Sequence, residues 1–396
     1  MSTLRSCVRY TRLLRRCYTR YNSTQATAPR IPSLPDQATW SEVFPVYAVS
    51  TLRDRVFVRK PETAAKLAES FLSDQLTTEG RPKVVIETYP GPGVLSRALL
   101  ELPHSKLRKL IILEDQPEFT PYLEELQAVD PRVTVIKKSG YAWDAYTQIV
   151  QQGLMDDVQV VPWENGIHPE LHFISHLPLN IMGEQLIAQF LRCIPERSWL
   201  FHYGRVPMSI IIGEWLWQRM TAPPGNKHRC KLSVVTEATI ECTLSVPRTT
   251  VLPYDTHFWP QSIRSATQEK RPESRRSGQP MMPLNLVPLV KPLIGLGKLD
   301  QWDFILRRLF VLKSTPIKRS IGSLAPGAST LLKSLVDPLL PLDEQVDVSK
   351  ASRDLTTRDW EMIARAFDKW PFAPVDLQID PNVGKDRHMV DSKLRR

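Results

Sequence analysis

Short apolar runs alternate with helical repeats through the first two thirds of the chain. Val84–Ile86 and Leu110–Leu113 are unbroken apolar runs, the pattern of strands buried on both faces of a parallel sheet. Between them, Leu95, Leu99 and Leu100 recur at helical spacing. Further strand-like runs are Val133–Ile136, Val158–Val161, Leu171–Ile174, Trp199–Tyr203, Leu232–Ala238 and Cys242–Val246. The alternation predicts an α/β fold with a mostly parallel, doubly wound sheet.

The pattern changes after this region. Residues 262–280 are polar, charged and poor in apolar side chains, which predicts a disordered insertion within a main domain of residues 37–290. From Pro292 onward, apolar residues recur three or four apart, which predicts a small all-helical domain over residues 291–374. Thr356 or Thr357 is the expected cap of its last helix. Residues 375–396 are expected to form a flexible tail.

The N-terminal segment differs in composition from the rest. Its first 35 residues contain seven arginines and no Asp, Glu or Lys, and they are rich in Ser and Thr. This composition is typical of a mitochondrial transit peptide, which we assign to residues 1–36, and it predicts a protein of the mitochondrial matrix. A disordered basic arm on a nuclear or cytosolic protein is the alternative reading.

Net charge says little about partners once this segment is set aside. The whole chain carries +10, but without the seven arginines it has 45 basic and 42 acidic residues. A local excess remains near the C-terminus, where only Asp300 and Asp303 oppose eight cations. These are Lys291, Lys298, Arg307, Arg308, Lys313, Lys318, Arg319 and Lys333. We predict phosphate contacts at Arg307, Arg308, Lys313, Lys318 and Arg319; a solvated helical face is the alternative.

Several classes of site and protein are not expected. Five cysteines lack a CxxC pair and two of them fall in the presumed transit peptide, which indicates a reduced compartment. No metal site is predicted, because Pro169 between His168 and Glu170 disfavours the helix that would bring His172 to a shared ion. The longest apolar stretch, 206–217, is too short for a membrane span.

One segment indicates a nucleotide-type cofactor. The first predicted strand runs into Pro-Gly-Pro-Gly, in which Gly91 and Gly93 allow the backbone to approach a ligand closely. The second ends in Glu114, and an acid at this end of a parallel strand can accept hydrogen bonds from both ribose hydroxyls. A glycine pair alone is a weak signal, since a tight strand-to-helix turn without a ligand has the same pattern.

These residues resemble the ribosomal RNA adenine dimethylase family, and within it the fungal branch of mitochondrial transcription factor B. VVIETYPGPG resembles the cofactor motif E-x-G-x-G-x-G, IILED the ribose-binding strand end, and SHLPLN the place of the catalytic N-L-P-Y. RMTAPPGNKHRCKLSV is similar to R-x-x-A-x-P-G-S-x-x-Y-x-x-L-S-V. The resemblance implies a Rossmann-like class I methyltransferase fold with a helical nucleic-acid-binding domain. It places S-adenosylmethionine at Val58, Glu87, Gly91, Gly93, Glu114, Ser139 and His176.

The sequence departs from that family where the chemistry occurs. Tyr89 replaces the first motif glycine, and Ser139 stands where an aspartate accepts the adenine amino hydrogen. In the degenerate catalytic motif, His176 stands in place of the Asn and Leu179 in place of the Tyr. Leu177 and Pro178 between them match the motif. Methylation of an adenine amine needs acceptors for its hydrogens and an aromatic face for the base, so each loss slows the reaction. No catalytic residue is therefore assigned, although an adapted catalyst at His176 is an open alternative.

The resemblance and its departures lead to three hypotheses. The first is a mitochondrial transcription initiation factor that binds the single-subunit mitochondrial RNA polymerase and promoter DNA and assists melting. Its cleft would hold an unpaired base, with Tyr89, Tyr141, Trp143 and His176 as lining candidates or as core residues. The second is an S-adenosylmethionine-dependent mitochondrial small-subunit rRNA adenine N6-dimethyltransferase. The third is a ribosome assembly factor that contacts rRNA without modifying it.

Overall fold

The structure is a computed structural model that describes residues 31–73, 81–262 and 277–377. The strands are β1 (Phe57–Val58), β2 (Lys83–Thr88), β3 (Leu107–Leu113), β4 (Val133–Ile136), β5 (Leu171–His176), β6 (Met208–Gly213), β7 (Ile240–Leu244), β8 (Phe258–Trp259) and β9 (Met281–Pro288). Most of the predicted transit peptide, insertion and tail lie outside the described residues.

Most helices lie between strands along the chain, and the last four follow the final strand. The helices are α1 (Trp40–Val43), α2 (Pro61–Phe71), α3 (Val94–Glu101), α4 (Thr120–Val129), α5 (Trp143–Gln151), α6 (Ile181–Cys193), α7 (Glu214–Met220), α8 (Lys231–Thr239), α9 (Tyr254–His257), α10 (Leu299–Val311), α11 (Ile317–Ser320), α12 (Leu331–Leu335) and α13 (Thr357–Asp368). Within the described ranges, no helix combines the length and the apolar composition that crossing a bilayer requires.

The seven-stranded sheet has the order β4-β3-β2-β5-β6-β9-β7. The strands from β4 to β6 are parallel, β9 pairs antiparallel with β6, and β7 pairs antiparallel with β9. The chain order reverses between β2 and β5, and ligands of open α/β sheets bind outside the carboxyl ends of strands at such a point. The predicted α/β class and mostly parallel sheet are confirmed, and the site is expected where β2, β3 and β5 end.

Both faces of β2 are buried, as its apolar run predicts. Val84 and Ile86 belong to one core cluster and Val85 to the other, because successive strand side chains point to opposite faces. Helices α2 and α3 cover the Val85 face, with Phe71 and Leu99 fully buried in it. A continuous apolar run is therefore the correct signature of this central strand.

Three predicted strands are wrong. Leu232–Ala238 lies in helix α8, where Val234, Val235 and Ala238 are all buried; a helix covered on every side has the same unbroken apolar pattern as a buried strand. Trp199–Tyr203 is a 3-10 helix. Residues 158–161 belong to no strand or helix, although the Val161 N–H donates to the Tyr203 carbonyl.

Within the seven-stranded sheet, the two strands β6 and β9 were not predicted. The Cys242–Val246 strand is present as β7, shifted by two residues.

The helical character of the C-terminal segment is confirmed. Thr356 caps α13, and its hydroxyl and the Asp359 side chain each bond the other residue's backbone N–H. Helices α10 and α13 both pack against α8. The domain boundary near residue 290 stays a prediction.

Candidate functional site

The acid expected to bind ribose is already fully paired within the protein. Glu114 is completely buried, and both its oxygens accept hydrogen bonds from the Arg55 guanidinium, one of them at 3.0 Å. The Gly91 N–H also donates to it at 3.2 Å, and the N–H groups of Asp115 and Gln116 donate at 3.1 and 3.2 Å. A carboxylate offers about four acceptor directions, so this set leaves none for ribose hydroxyls.

Tyr89 fills the place of the missing motif glycine. Its backbone has a φ of +59°, a left-handed conformation that glycine adopts freely and a side chain disfavours by about 1 kcal/mol. The ring is 3% exposed, lies under the Arg55 guanidinium at 4.8 Å, and its hydroxyl is 2.8 Å from the Ser139 hydroxyl. Tyr89 and Ser139 are therefore bonded to each other at two positions where the resemblance implies contact with a cofactor.

The two retained glycines keep their turn conformation. Gly91 has a φ of +65° and Gly93 a φ of +87°, and Gly93 precedes the first residue of α3. A Cβ on Gly91 would lie 2.6 Å from the Phe57 ring. The space beside this glycine is therefore filled by the Phe57 side chain. Val58, next to Phe57, is buried in β1 and pairs with Phe258.

Glu87 is a buried carboxylate with one unsatisfied oxygen. Its Oε2 accepts from the Ser96 hydroxyl at 2.6 Å, while Oε1 has no partner among the described residues. Burial raises the pKa of Glu87 to about 7, against the Ser96 hydrogen bond and with a smaller contribution from Glu114. Near neutral pH this group therefore exchanges a proton, but it faces Ser96 on α3.

The degenerate catalytic motif is closed by the segment that carries Arg55. His176 ends β5, is 2% exposed, and neither ring nitrogen makes a well-formed hydrogen bond, although the Val56 backbone lies near. Leu179 is also buried, and its N–H donates to the Asp54 carbonyl at 2.9 Å. The Asn180 side chain caps α6 and bonds the Asp54 carboxylate. Thus His176 and Leu179 face the core.

We predict that His176 makes the protein sensitive to acid. Burial, and then the nearby Arg55 charge, lower the pKa of His176 to about 3 from 6.5. Below pH 6.5 His176 becomes protonated in the unfolded chain but stays neutral in the folded chain. The free energy of unfolding therefore decreases by about 1.4 kcal/mol for each pH unit by which the pH is lowered. His176→Leu should remove this slope between pH 6.5 and 4.5, measured by urea unfolding.

The control for this prediction is His202→Leu, since His202 is exposed on the surface. His172, whose pKa burial also lowers to about 3, adds a slope that remains in both variants. An equal pH dependence in His176→Leu and the unaltered protein would contradict the prediction.

Most of the aromatic and histidine candidates contact other residues of the protein. Trp143 packs edge-on against Trp199 at 6.0 Å between ring centroids, while Tyr141 is 36% exposed. His172 lies 2.9 Å from the Ser209 hydroxyl, and the Nδ1 of His168 accepts the Leu171 N–H. Among the described residues, no group of three or more potential metal ligands is found.

The basic candidates separate into two groups. The Nε of Arg307 is 3.0 Å from Asp303, a buried acid that also contacts Arg192 and Lys231. Burial alone would raise the pKa of Asp303, but these three cations outweigh it and the pKa is lowered. The remaining candidates, Arg308, Lys313, Lys318 and Arg319, are exposed. Arg307 is thus partly neutralised, and the others are available to a phosphate.

Arg55 is the residue that the sequence interpretation missed. It lies 59 positions from Glu114, and no local motif links the two. A signal was present, because residues 44–58 read FPVYAVSTLRDRVFV, in which Arg53, Asp54 and Arg55 interrupt an otherwise apolar segment. A cation at such a place needs a buried acid.

As they stand, these residues do not fit S-adenosylmethionine. The Arg55 guanidinium donates to both oxygens of Glu114, which are therefore not available to ribose hydroxyls. Tyr89 replaces the glycine beside which the cofactor would lie. Ser139 is bonded to Tyr89 and, through its Oγ, to the Tyr141 N–H at 3.3 Å. What remains at the ends of β2, β3 and β5 is a closed internal network.

Comparison with known proteins gives one family and two kinds of relatives. The sequence model of ribosomal RNA adenine dimethylase matches residues 65–364. Mitochondrial transcription factor 1 of Lachancea kluyveri is 27% identical over 75% of this chain and 83% of its own length. The protein of the same name from Saccharomyces cerevisiae is 26% identical over 75% and 82%.

The other kind of relative is named as an enzyme. Mitochondrial dimethyladenosine transferase 1 of Vermamoeba vermiformis is 24% identical over 87% of this chain and 97% of its own. A solved structure of a dimethyladenosine transferase from Plasmodium falciparum aligns with 79% of this chain and 98% of its own, at 14% identity and a TM-score of 0.48.

Proposed function

The chain belongs to the ribosomal RNA adenine dimethylase family, and we propose that it serves as a mitochondrial transcription initiation factor rather than as a methyltransferase. The yeast relatives that share three quarters of the chain carry the name mitochondrial transcription factor 1. Its partners would be the single-subunit mitochondrial RNA polymerase and promoter DNA, in the mitochondrial matrix. The methyltransferase-like part would act as a scaffold.

The Arg55–Glu114 pair supports this proposal most directly. A cofactor would have to displace a buried, bidentate guanidinium and leave it without its acid, at a cost of several kcal/mol. No comparable cost arises if the fold only positions surfaces for other macromolecules. His176 and Leu179, buried without access to a base, agree with the same function.

Promoter-dependent run-off transcription tests the proposal. Mitochondrial RNA polymerase is assayed alone and with this protein, on a linear mitochondrial promoter and on the same promoter with a pre-melted bubble. We expect about tenfold or greater stimulation on the linear template and little on the bubble, because melting removes the barrier that the factor lowers. Equal output with and without the protein on both templates would reject the function.

An rRNA dimethyltransferase is the second candidate, favoured by the retained Gly91, Gly93 and Glu114 and by the enzyme-named relatives. Titration calorimetry with S-adenosylmethionine, then transfer of tritiated methyl to small-subunit rRNA hairpins, distinguishes it. We expect no heat of binding and no label above background. Label that appears with the unaltered protein and disappears with His176→Ala would establish the enzyme instead.

A further inference from the structure

Three backbone segments meet beyond the C-terminal end of α10. They are residues 223–229, 312–320 and 347–354. The Gly225 N–H donates to the Arg353 carbonyl at 2.9 Å, and the Arg353 N–H donates to the Lys313 carbonyl at 3.1 Å. The Ile317 N–H donates to the Lys350 carbonyl at 2.9 Å. These bonds join a turn that precedes α8 to the C-terminal helical segment as one continuous surface.

This surface, which we call the seam surface, carries a strong excess of positive charge. Its cations are Lys227, Lys313, Lys318, Arg319, Lys350 and Arg353, and its acids are Asp347 and Asp354. The four lysines and Arg319 are exposed, and the Arg353 side chain is 38% exposed. Hydrogen bonds from Ser349, and then the positive charges of Lys350 and Lys318, lower the pKa of Asp347. The negative charge of Asp347 is therefore already stabilised by groups of the seam surface itself.

The turn that presents Lys227 is held in a fixed conformation. The Asn226 N–H donates to the Pro223 carbonyl at 3.1 Å, and the Asn226 side chain accepts the His228 N–H at 2.8 Å. Gly225 has a φ of +85°, which suits glycine. The Lys313 ammonium donates to the Lys227 backbone carbonyl at 3.3 Å, so the two segments that carry these lysines are in contact. Because the backbone of the turn is already held in place, it loses little conformational freedom when an anionic chain binds.

We propose that the seam surface binds the phosphate backbone of nucleic acid. Lys227 and Lys350 thereby join the contacts predicted in the C-terminal segment, while Arg307 and Arg353 are excluded by their ion pairs with Asp303 and Asp354. Repeated exposed cations with few acids match a polyanion, and each one placed on a phosphate releases a counterion. That the nucleic acid is promoter DNA rests on the proposed function; phosphate binding itself does not.

An acidic protein surface is the rival occupant, and the chain offers a way to separate the two. Val311 and Leu312, 80% and 40% exposed, lie at the edge of the seam surface. A protein partner would bury them, whereas phosphates would not. Val311→Ser/Leu312→Ser should therefore leave nucleic-acid binding unchanged.

Fluorescence anisotropy with a labelled promoter duplex, without polymerase, tests the seam surface in the full chain. The variant is Lys227→Glu/Lys313→Glu/Lys350→Glu. The control, Lys66→Glu/Lys137→Glu/Lys369→Glu, has the same change in net charge at exposed lysines elsewhere. We expect the first variant to raise Kd about 10- to 100-fold at roughly 0.1 M salt, and the slope of log K against log salt to fall by about 2 to 3. The control should retain the slope of the unaltered protein.

The outcomes separate this inference from the proposed function. Unchanged duplex binding in the seam variant, or an equal loss in the control, overturns the seam surface even if the protein stimulates transcription. Polymerase binding lost in the seam variant and in Val311→Ser/Leu312→Ser, with duplex binding intact, overturns it in favour of a protein partner. A selective loss of duplex binding supports it even if run-off transcription shows no stimulation.

Discussion

Replacing Arg55 by methionine should lower the free energy of unfolding by about 3–5 kcal/mol, because it leaves a fully buried carboxylate without its counter-charge. Glu114 would keep the N–H donors of Gly91, Asp115 and Gln116, which offset only part of that loss. Glu114→Gln should cost a similar amount by leaving the Arg55 guanidinium buried and unpaired. Urea unfolding of each variant, without any cofactor, measures the effect.

The double variant makes this prediction specific. Arg55→Met/Glu114→Gln leaves no unpaired charge, so its loss should be smaller than the sum of the single losses, with a coupling energy of about 2 kcal/mol or more. Arg81→Met is the control, since Arg81 forms an ion pair with Glu170 but its side chain is 50% exposed; we expect a change below about 1 kcal/mol. If Glu114→Gln left stability unaltered, Glu114 would be a ligand-binding residue and the closed site would be refuted.

Replacing Arg229 by methionine should cost about 3 kcal/mol of stability. Arg229 is fully buried and stands where the family motif has tyrosine. Its guanidinium donates to both oxygens of Glu237, at 2.8 and 3.0 Å, and to the Ala222 carbonyl at 2.7 Å. Glu237 also accepts from the Thr357 hydroxyl at the start of α13. Breaking the pair therefore weakens the attachment of α13 to α8.

The size of this effect depends on geometry as well as charge. The Glu237 side chain is 33% exposed and can regain water, which places the loss at the lower end of the range for buried pairs. Arg229→Lys should also destabilise, because an ammonium cannot bond both oxygens in parallel. Arg358→Ala, which breaks an exposed pair with Glu361, is the control and should change stability by less than about 1 kcal/mol. Equal effects of Arg229→Met and Arg358→Ala in urea unfolding would contradict the prediction.

The local geometry of the candidate site followed from sequence patterns. An apolar strand followed by Gly91 and Gly93, and a second strand ending in Glu114, predicted that these residues belong to one nucleotide-type cofactor site. The Gly91 N–H does lie 3.2 Å from the Glu114 carboxylate. The departures at Tyr89, Ser139, His176 and Leu179 were also visible, because a motif position is occupied by one residue type or another whatever the tertiary structure.

By itself the sequence determined the α/β class, the parallel strands β2 to β5, the helical C-terminal segment and the altered motif. These follow from periodicity and turn residues, which act over a few neighbouring positions. Only the tertiary structure decided that α8 is a helix, since continuous burial looks alike in a strand and a covered helix. It alone also decided that Arg55 pairs with Glu114 and that Lys227 lies beside Lys313. Such pairings depend on which distant segments share a desolvated space, and no local pattern encodes that proximity.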